Sequence, residues 1–253
     1  MNGWIRKIIF YALLLAVWWG VAAMKIWPPY LFPSPRAVLE TLGSGIADHT
    51  ILIGAWVSLK RILAGYSISL VVGIATGVVV GRSVWLDDTV GSLIGGLQTL
   101  PSICWLPLAV LWFGISEISI QFVVVMGAFL SIAIATDSGI KNIPVLYVRA
   151  AQTMGISRWD MITRVVLPAA LPSMVTGMKL GWSFAWRALM AGELLFVSMG
   201  LGHLLQMGRE LNDMSQVVAI MMVIVAIGLT TDKLIFARME TAVRERWGYG
   251  NRN

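Results

Sequence analysis

Arg149-Ala-Ala-Gln-Thr-Met-Gly155, nine further residues, then Val165-Val-Leu-Pro168, form a polar interlude in a chain that is apolar on either side of it. The segments 118–136 before it and 173–197 after it are each long enough to cross about 30 Å of hydrocarbon as a helix. The interlude, 137–172, is then the connection between two membrane spans, and the same reading extends along the chain. Of 253 residues, 58% are hydrophobic and 13% charged, and mean hydropathy is +0.80, whereas a soluble domain is about a quarter charged. The expectation is an all-α polytopic membrane protein, one domain over 1–253, with about six transmembrane helices and no separate soluble domain.

The expected spans are 8–27, 62–81, 89–113, 118–136, 173–197 and 216–236. The first reads as a retained span and not a cleaved signal, despite Val21-Ala22-Ala23, because its apolar run is long and carries Trp18 and Trp19. The stretch 28–61 is too polar to span. Within it, Ser34 as N-cap and Pro35 at N1 start a short interfacial helix through Val38 and Leu42, which Gly43 and Gly45 are expected to interrupt. Gly73, Gly77 and Gly81 recur every four residues, so one helix face can admit another backbone closely. A polar turn is expected over 82–88 and a connection over 200–215. In Leu100-Pro-Ser-Ile-Cys-Trp-Leu-Pro-Leu108, Pro101 and Pro107 are expected to break the third span. Irregular backbone at membrane depth is tolerated where protein buries it or a watery cavity receives it. Pro101, Trp105 and Pro107 are thus candidate pathway lining, with a plain kink as the alternative.

Charge decides orientation. The N-terminus, the even-numbered loops and the C-terminus hold 13 Lys/Arg: Arg6, Lys7, Arg82, Lys141, Arg149, Arg158, Arg164, Lys179, Lys233, Arg238, Arg244, Arg246 and Arg252. The other side holds five: Lys25, Arg36, Lys60, Arg61 and Arg209. The positive-inside rule places both termini and the interlude in the cytoplasm. The net charge of +6 is spread along span ends and forms no continuous patch, which argues against a nucleic-acid partner. Cys104 is the single cysteine, and His49 and His203 lie far apart, so neither an intrachain disulfide nor a metal-ligand spacing is indicated. No G-x-x-x-x-G-K-[ST] occurs, so the phosphate-cradling loop that would hold ATP is lacking.

The interlude itself reads as two short helices. Gly155 is a natural terminator for a helix over 145–154. Ser157 with Asp160 resembles a capping box, with Asp in place of the usual Glu or Gln. A second helix over 158–167 is expected to end before Pro168. Trp159, Ile162 and Val166 then share one apolar face of a helix too short to be stable alone. That face packs either on the protein's own spans or on a partner.

Arg187 lies near the middle of the fifth span, with Glu193 six residues on. A charge at the centre of a spanning helix costs about 2.5 to 3.5 kcal/mol on insertion scales, so each faces protein or a watery cavity. Both are candidate pathway residues. Arg187 either attracts an anionic substrate or is structural; a direct pairing of the two along one helix is disfavoured, because six residues set them about 240° apart.

Ala150-Ala151, Gly155 and Val165-x-Leu167-Pro168 resemble the EAA loop of binding-protein-dependent ABC importer permeases, whose pattern is Glu-Ala-Ala, three residues, Gly, nine residues, Ile-x-Leu-Pro. Arg149 stands where the pattern has Glu, a reversed charge, and Val165 where it has Ile. Leu31-Phe-Pro-Ser-Pro35, Ser58-Leu-Lys-Arg61, the Leu100–Leu108 stretch, Trp112-Phe-Gly114 and Gly200-Leu-Gly202 are similar to permeases of the nitrate, sulfonate, taurine and bicarbonate branch. The resemblance implies a type I importer permease in a bacterial inner membrane. Its partners would be a second permease copy, two cytoplasmic ABC ATPases that bind ATP and Mg, and an extracytoplasmic substrate-binding protein, with no cofactor on this chain. It also implies a coupling helix that docks on the ATPase, here involving Ala150, Ala151, Gly155, Ser157, Trp159, Asp160, Ile162, Val166, Leu167 and Pro168. The implied cargo is a small anion; Arg149-Ala-Ala-Gln152 and Trp105-Leu-Pro-Leu108 are most similar to the organosulfonate and taurine group. An ion-coupled secondary transporter or channel is the competing class, and it gives no reason for the apolar cytoplasmic helix pair. Ser, His and acidic residues do not converge at nucleophile spacing, so an enzyme is not indicated.

Overall fold

A computed structural model describes residues 3–195 and 198–246. Its elements are α1 (Gly3–Ala23), α2 (Pro35–Ala47) and α3 (Thr50–Gly81), then α4 (Val84–Gln98) and α5 (Ser102–Phe113). They continue with α6 (Glu117–Lys141), α7 (Val145–Thr153), α8 (Arg158–Leu195), α9 (Leu201–Glu210) and α10 (Met214–Val243). Among the described residues, α1, α3, α6, α8 and α10 are each long and apolar enough to cross a membrane, and α4 with α5, bent by 99°, make a sixth candidate. The all-α, roughly six-span architecture expected from hydropathy is the one observed. The expected end of the fifth span at Val197, and Arg252 of the tail, lie outside the described residues.

The chain divides into two compact units, Met1–Leu59 with Glu193–Ile227, and Lys60–Gly192 with Gly228–Asn253. In the first, α1 has no buried residue, as suits a helix whose Ile, Leu and Trp side chains meet lipid. It starts earlier than expected and ends at Ala23, and Lys25 takes a left-handed φ of 52°. Trp18 Nε1 donates to the Pro33 carbonyl at 3.0 Å. Ser34 caps α2 as expected, its hydroxyl accepting the Ala37 N–H at 3.2 Å, with Pro35 in the first turn. Gly43 and Gly45 do not interrupt α2, which runs to Ala47. At Gly45 a Cβ would lie 2.6 Å from Ile51 Cδ1, so packing of Ile51 in the space a side chain would fill offsets the helix cost of glycine, about 1 kcal/mol.

The second span also corrects the expectation. It begins at Thr50 and not at 62, taking Ser58, Lys60 and Arg61 into the helix. Polar groups are tolerated there because they find partners. In the second unit, Arg61 Nε donates to Glu117 Oε2 at 2.7 Å, and Gln121 Nε2 donates to the Arg61 carbonyl.

The glycine stripe of α3 does what its spacing suggests. A Cβ at Gly73 would lie 3.1 Å from the Phe129 carbonyl, and one at Gly77 would lie 2.6 Å from the Ala133 carbonyl, both on α6. Backbone meets backbone along this seam. The expected polar turn 82–88 is instead the start of α4: Ser83 caps Val84–Leu86, and a π-helical turn Asp87–Gly91 follows. Of the two prolines expected to break the third span, only Pro101 does so. It precedes a short 3₁₀ turn, Ser102–Cys104, whereas Pro107 sits in the first turn of the helix Trp105–Phe113, where a missing N–H loses no bond.

Nor does the helix entered at Arg158 stop before Pro168. It passes through a π-helical turn, Met161–Val166, and continues across Pro168 and Pro172 to Leu195. In that wider turn the Leu167 N–H bonds the Ile162 carbonyl, five residues back. Such a turn re-places the carbonyls ahead of the proline ring and lets the helix proceed. The interlude is thus shorter than 137–172: α6 reaches Lys141 and α8 starts at Arg158. The sixth span extends to Val243 through a third π turn, Asp232–Phe236. Asp232 and Glu240 both meet Lys179, at 2.9 and 3.6 Å. The expected connection 200–215 contains the helix α9.

Candidate functional site

The turn of the interlude is shaped by its own backbone chemistry. Gly155 takes φ +69°, a conformation without steric cost only for glycine. Its N–H bonds the Gln152 carbonyl at 3.0 Å, and the Ile156 N–H bonds the Ala151 carbonyl at 3.4 Å. These two bonds are the Schellman arrangement, and they satisfy carbonyls left open at the end of α7. Ile156 and Ala151 both belong to the apolar cluster under the loop, the contact that accompanies this motif. Two residues on, Ser157 Oγ accepts the Asp160 N–H at 3.1 Å and donates to Asp160 Oδ2 at 2.8 Å. Asp160 also pairs with Arg164 at 2.9 Å.

The apolar face expected from Trp159, Ile162 and Val166 is divided. Val166 is 6% exposed and packs with Met161, Ala151 and Ile140, whereas Trp159 is 72% exposed; Ile162 is half-buried. The π turn between them is the reason, since a widened turn rotates residue 166 away from the face an ordinary α-helix would give it. Leu167 and Pro168 are half-buried in the helix; Ala150 and Arg149 are exposed. What remains outward is a different apolar set, led by Leu146 at 72%, Met154 at 78% and Trp159. Leu146 and Met154 were not expected from the motif, though both are large apolar residues in a polar loop. The inner side anchors the loop and the outer side leaves large hydrophobic side chains unpaired.

The bend between α4 and α5 opens a cavity of about 420 Å³. It brings together Pro101, Trp105 and Arg187, three of the five candidate pathway residues, and adds Gln98, Thr99, Ser102 and Phe184. The polar residues flanking Pro101 were the available signal for the additions. Pro107 and Glu193 do not line it. Arg187 is exposed to the cavity, its Nε donating to the Ser183 carbonyl at 3.2 Å and its guanidinium lying 4.9 Å from the centre of the Phe184 ring. Gln98 Nε2 donates to Ser131 Oγ at 3.0 Å. No carboxylate is among the described lining residues, so the guanidinium is the dominant charge of an otherwise neutral cavity. Such a lining attracts anions and repels cations. Glu193 goes elsewhere: its carboxyl group is fully buried and meets Ser58 and the Gly202 N–H. Among the described residues, no group of His, Cys, Asp and Glu side chains is arranged to hold a metal ion.

The family of binding-protein-dependent transport system inner membrane components matches residues 69–244. A putative ABC transporter permease protein of Methanocaldococcus jannaschii is 34% identical, over 90% of this chain and 87% of its own. The taurine transport system permease protein TauC of Escherichia coli is 34% identical over 79% of this chain and 74% of its own. The nitrate import permease protein NrtB of a Synechocystis species is 28% identical over 91% and 86%. Among solved structures, a chain of the MetNI methionine ABC transporter in an inward-facing conformation matches with a TM-score of 0.67 at 20% identity, covering 76% of this chain and 96% of that one. That likeness concerns the fold. With the multi-pass apolar helices, the short helical loop before α8 and the family match over most of its length, this chain belongs to the binding-protein-dependent transport system inner membrane components.

Proposed function

We propose that the chain is the membrane-spanning permease of an ABC importer for a small anion of the sulfonate, taurine, nitrate or bicarbonate kind. Taurine and nitrate permeases among its relatives support the class of cargo. The carrying observation is the loop between α6 and α8, buried on one side and presenting Leu146, Met154 and Trp159 on the other. Unpaired apolar side chains on a rigid polar loop suit a docking partner. In this reading the loop faces the cytoplasm and seats on an ATPase, which supplies ATP and Mg; two permease copies and two ATPases make the transporter. ATPase closure then moves the docked loops and exchanges outward for inward access. An extracytoplasmic binding protein delivers the anion at the opposite face, and the Arg187 cavity is the anion's way-station through the membrane.

The test separates the two ends of the mechanism. Trp159→Glu leaves insertion and thermal stability intact and removes the ATPase from the purified complex; normal co-purification would sink the coupling claim. Arg187→Gln retains assembly and lowers anion uptake at least about tenfold, the effect of losing roughly one charge-assisted contact. Unchanged uptake would remove Arg187 from the pathway.

A further inference from the structure

Glu193 lies outside the cavity and outside the coupling loop, and no step above uses it. Within the first unit it is fully buried, as is Ser58 of α3. The Ser58 hydroxyl donates to the Glu193 carboxyl group, 2.9 Å from Oε1 and 2.7 Å from Oε2. The Gly202 N–H donates to Glu193 Oε2 at 2.9 Å, and the Leu201 N–H donates to Ser58 Oγ at 2.9 Å. These are the first two amides of α9, donors that have no acceptor inside their own helix. Gly200 precedes them and offers no side-chain cap. The cap is supplied from a distance by Ser58 and Glu193, and a carboxylate at a helix N-terminus also opposes the positive end of the helix dipole.

The surrounding glycines make room for this arrangement. A Cβ on Gly200 would fall 2.5 to 2.6 Å from all three atoms of the Glu193 carboxyl group. On α3, one turn before Ser58, a Cβ on Gly54 would fall 2.7 Å from Leu204 Cδ1. Leu201, Gly202, Leu204 and Gly208 are buried, while Arg209, Glu210 and Leu211 are exposed at the far end of α9. The helix is packed from its N-terminus and open at its C-terminal end.

We infer that Glu193 is a positioning residue: with Ser58 it clasps α9 so that its exposed end stands preformed for the extracytoplasmic binding protein. This rests on the importer reading above. The side follows from the charge count along the sequence, which assigns the 200–215 connection with Arg209 to the extracytoplasmic loops. A helix already fixed loses little conformational freedom on docking, so the clasp acts on the affinity for the binding protein and leaves the turnover of the docked complex alone.

The experiment measures ATPase activity of the permease–ATPase complex in nanodiscs against the concentration of its binding protein. For Glu193→Gln and for Ser58→Ala, half-saturation rises about five- to tenfold, as loss of a helix cap implies, and the maximal stimulated rate stays within about twofold. A fall in maximal rate with unshifted half-saturation overturns the inference, and so does no change in either quantity. A nitroxide on Glu210→Cys, in a Cys104→Ser background, reads the clasp in the permease itself: its spectrum sharpens in both variants, and an unaltered spectrum overturns the clasp. Should Glu193→Gln fail to assemble, Ser58→Ala decides by the same criteria. If wild type is not stimulated by any binding protein, the importer reading falls, and the nitroxide comparison still judges the clasp.

Discussion

Gly77→Ala probes the seam that holds α3 to α6. The added methyl would lie 2.5 Å from Thr136 Cβ and 2.6 Å from the Ala133 carbonyl oxygen. Non-bonded carbon atoms rest about 3.5 to 4.0 Å apart, so the helices must part locally by roughly 1 Å, a gap that forfeits a quarter to a half of each dispersion contact. The contacts one turn away, at Gly73 with the Phe129 carbonyl and at Gly81 with Ile140, loosen with it. Because the obstacle at Ala133 is backbone, no rotamer change relieves it, and overpacking of this kind costs about 1 to 3 kcal/mol. Between membrane helices packing is itself the attraction, so nothing offsets the loss. At about 2 to 4 °C per kcal/mol for a chain of this size, the melting temperature falls by roughly 5 °C. Gly95→Ala is the control, since no atom lies within 4 Å of a Cβ there and alanine is the better helix former. Thermal unfolding in detergent, followed by circular dichroism and by the monodisperse fraction, reads both variants. The reasoning is refuted if Gly77→Ala melts within a degree of wild type or if Gly95→Ala falls as far.

Two further substitutions test the loop. Gly155→Val places a β-branched residue at φ +69° with open space around it, so the cost is conformational, about 1 to 2 kcal/mol or more. Limited proteolysis between α7 and α8 should accelerate, and Gly155→Asn should restore most of the resistance. Val166→Asp buries an unpaired charge among Met161, Ala151 and Ile140 and costs about 3 to 5 kcal/mol, so folded protein is lost, whereas Thr163→Asp, at an exposed site, leaves yield unchanged.

The sequence by itself determined what depends on length and local backbone chemistry. Apolar runs long enough to span a bilayer yielded the all-α, roughly six-span architecture. The spacing of Gly73, Gly77 and Gly81 announced a close helix seam, and Gly155 and Ser157 marked a helix end and a helix start. Each of these follows from a preference a residue carries with it. The tertiary structure decided whether a polar or kinking residue is tolerated inside a helix, because that depends on partners remote in sequence. Ser58 and Arg61 could enter α3 since Ser58 meets Glu193, 135 residues on, and Arg61 meets Glu117, 56 residues on. Pro168 did not end α8 since a π turn precedes it, and that turn, invisible to a 3.6-residue period, sent Val166 inward and left Trp159 outside. Arg187 and Glu193 lie six residues apart on one helix, yet one faces a cavity and the other caps α9. Spacing places side chains around a helix axis, and only the packed neighbours determine what each one meets.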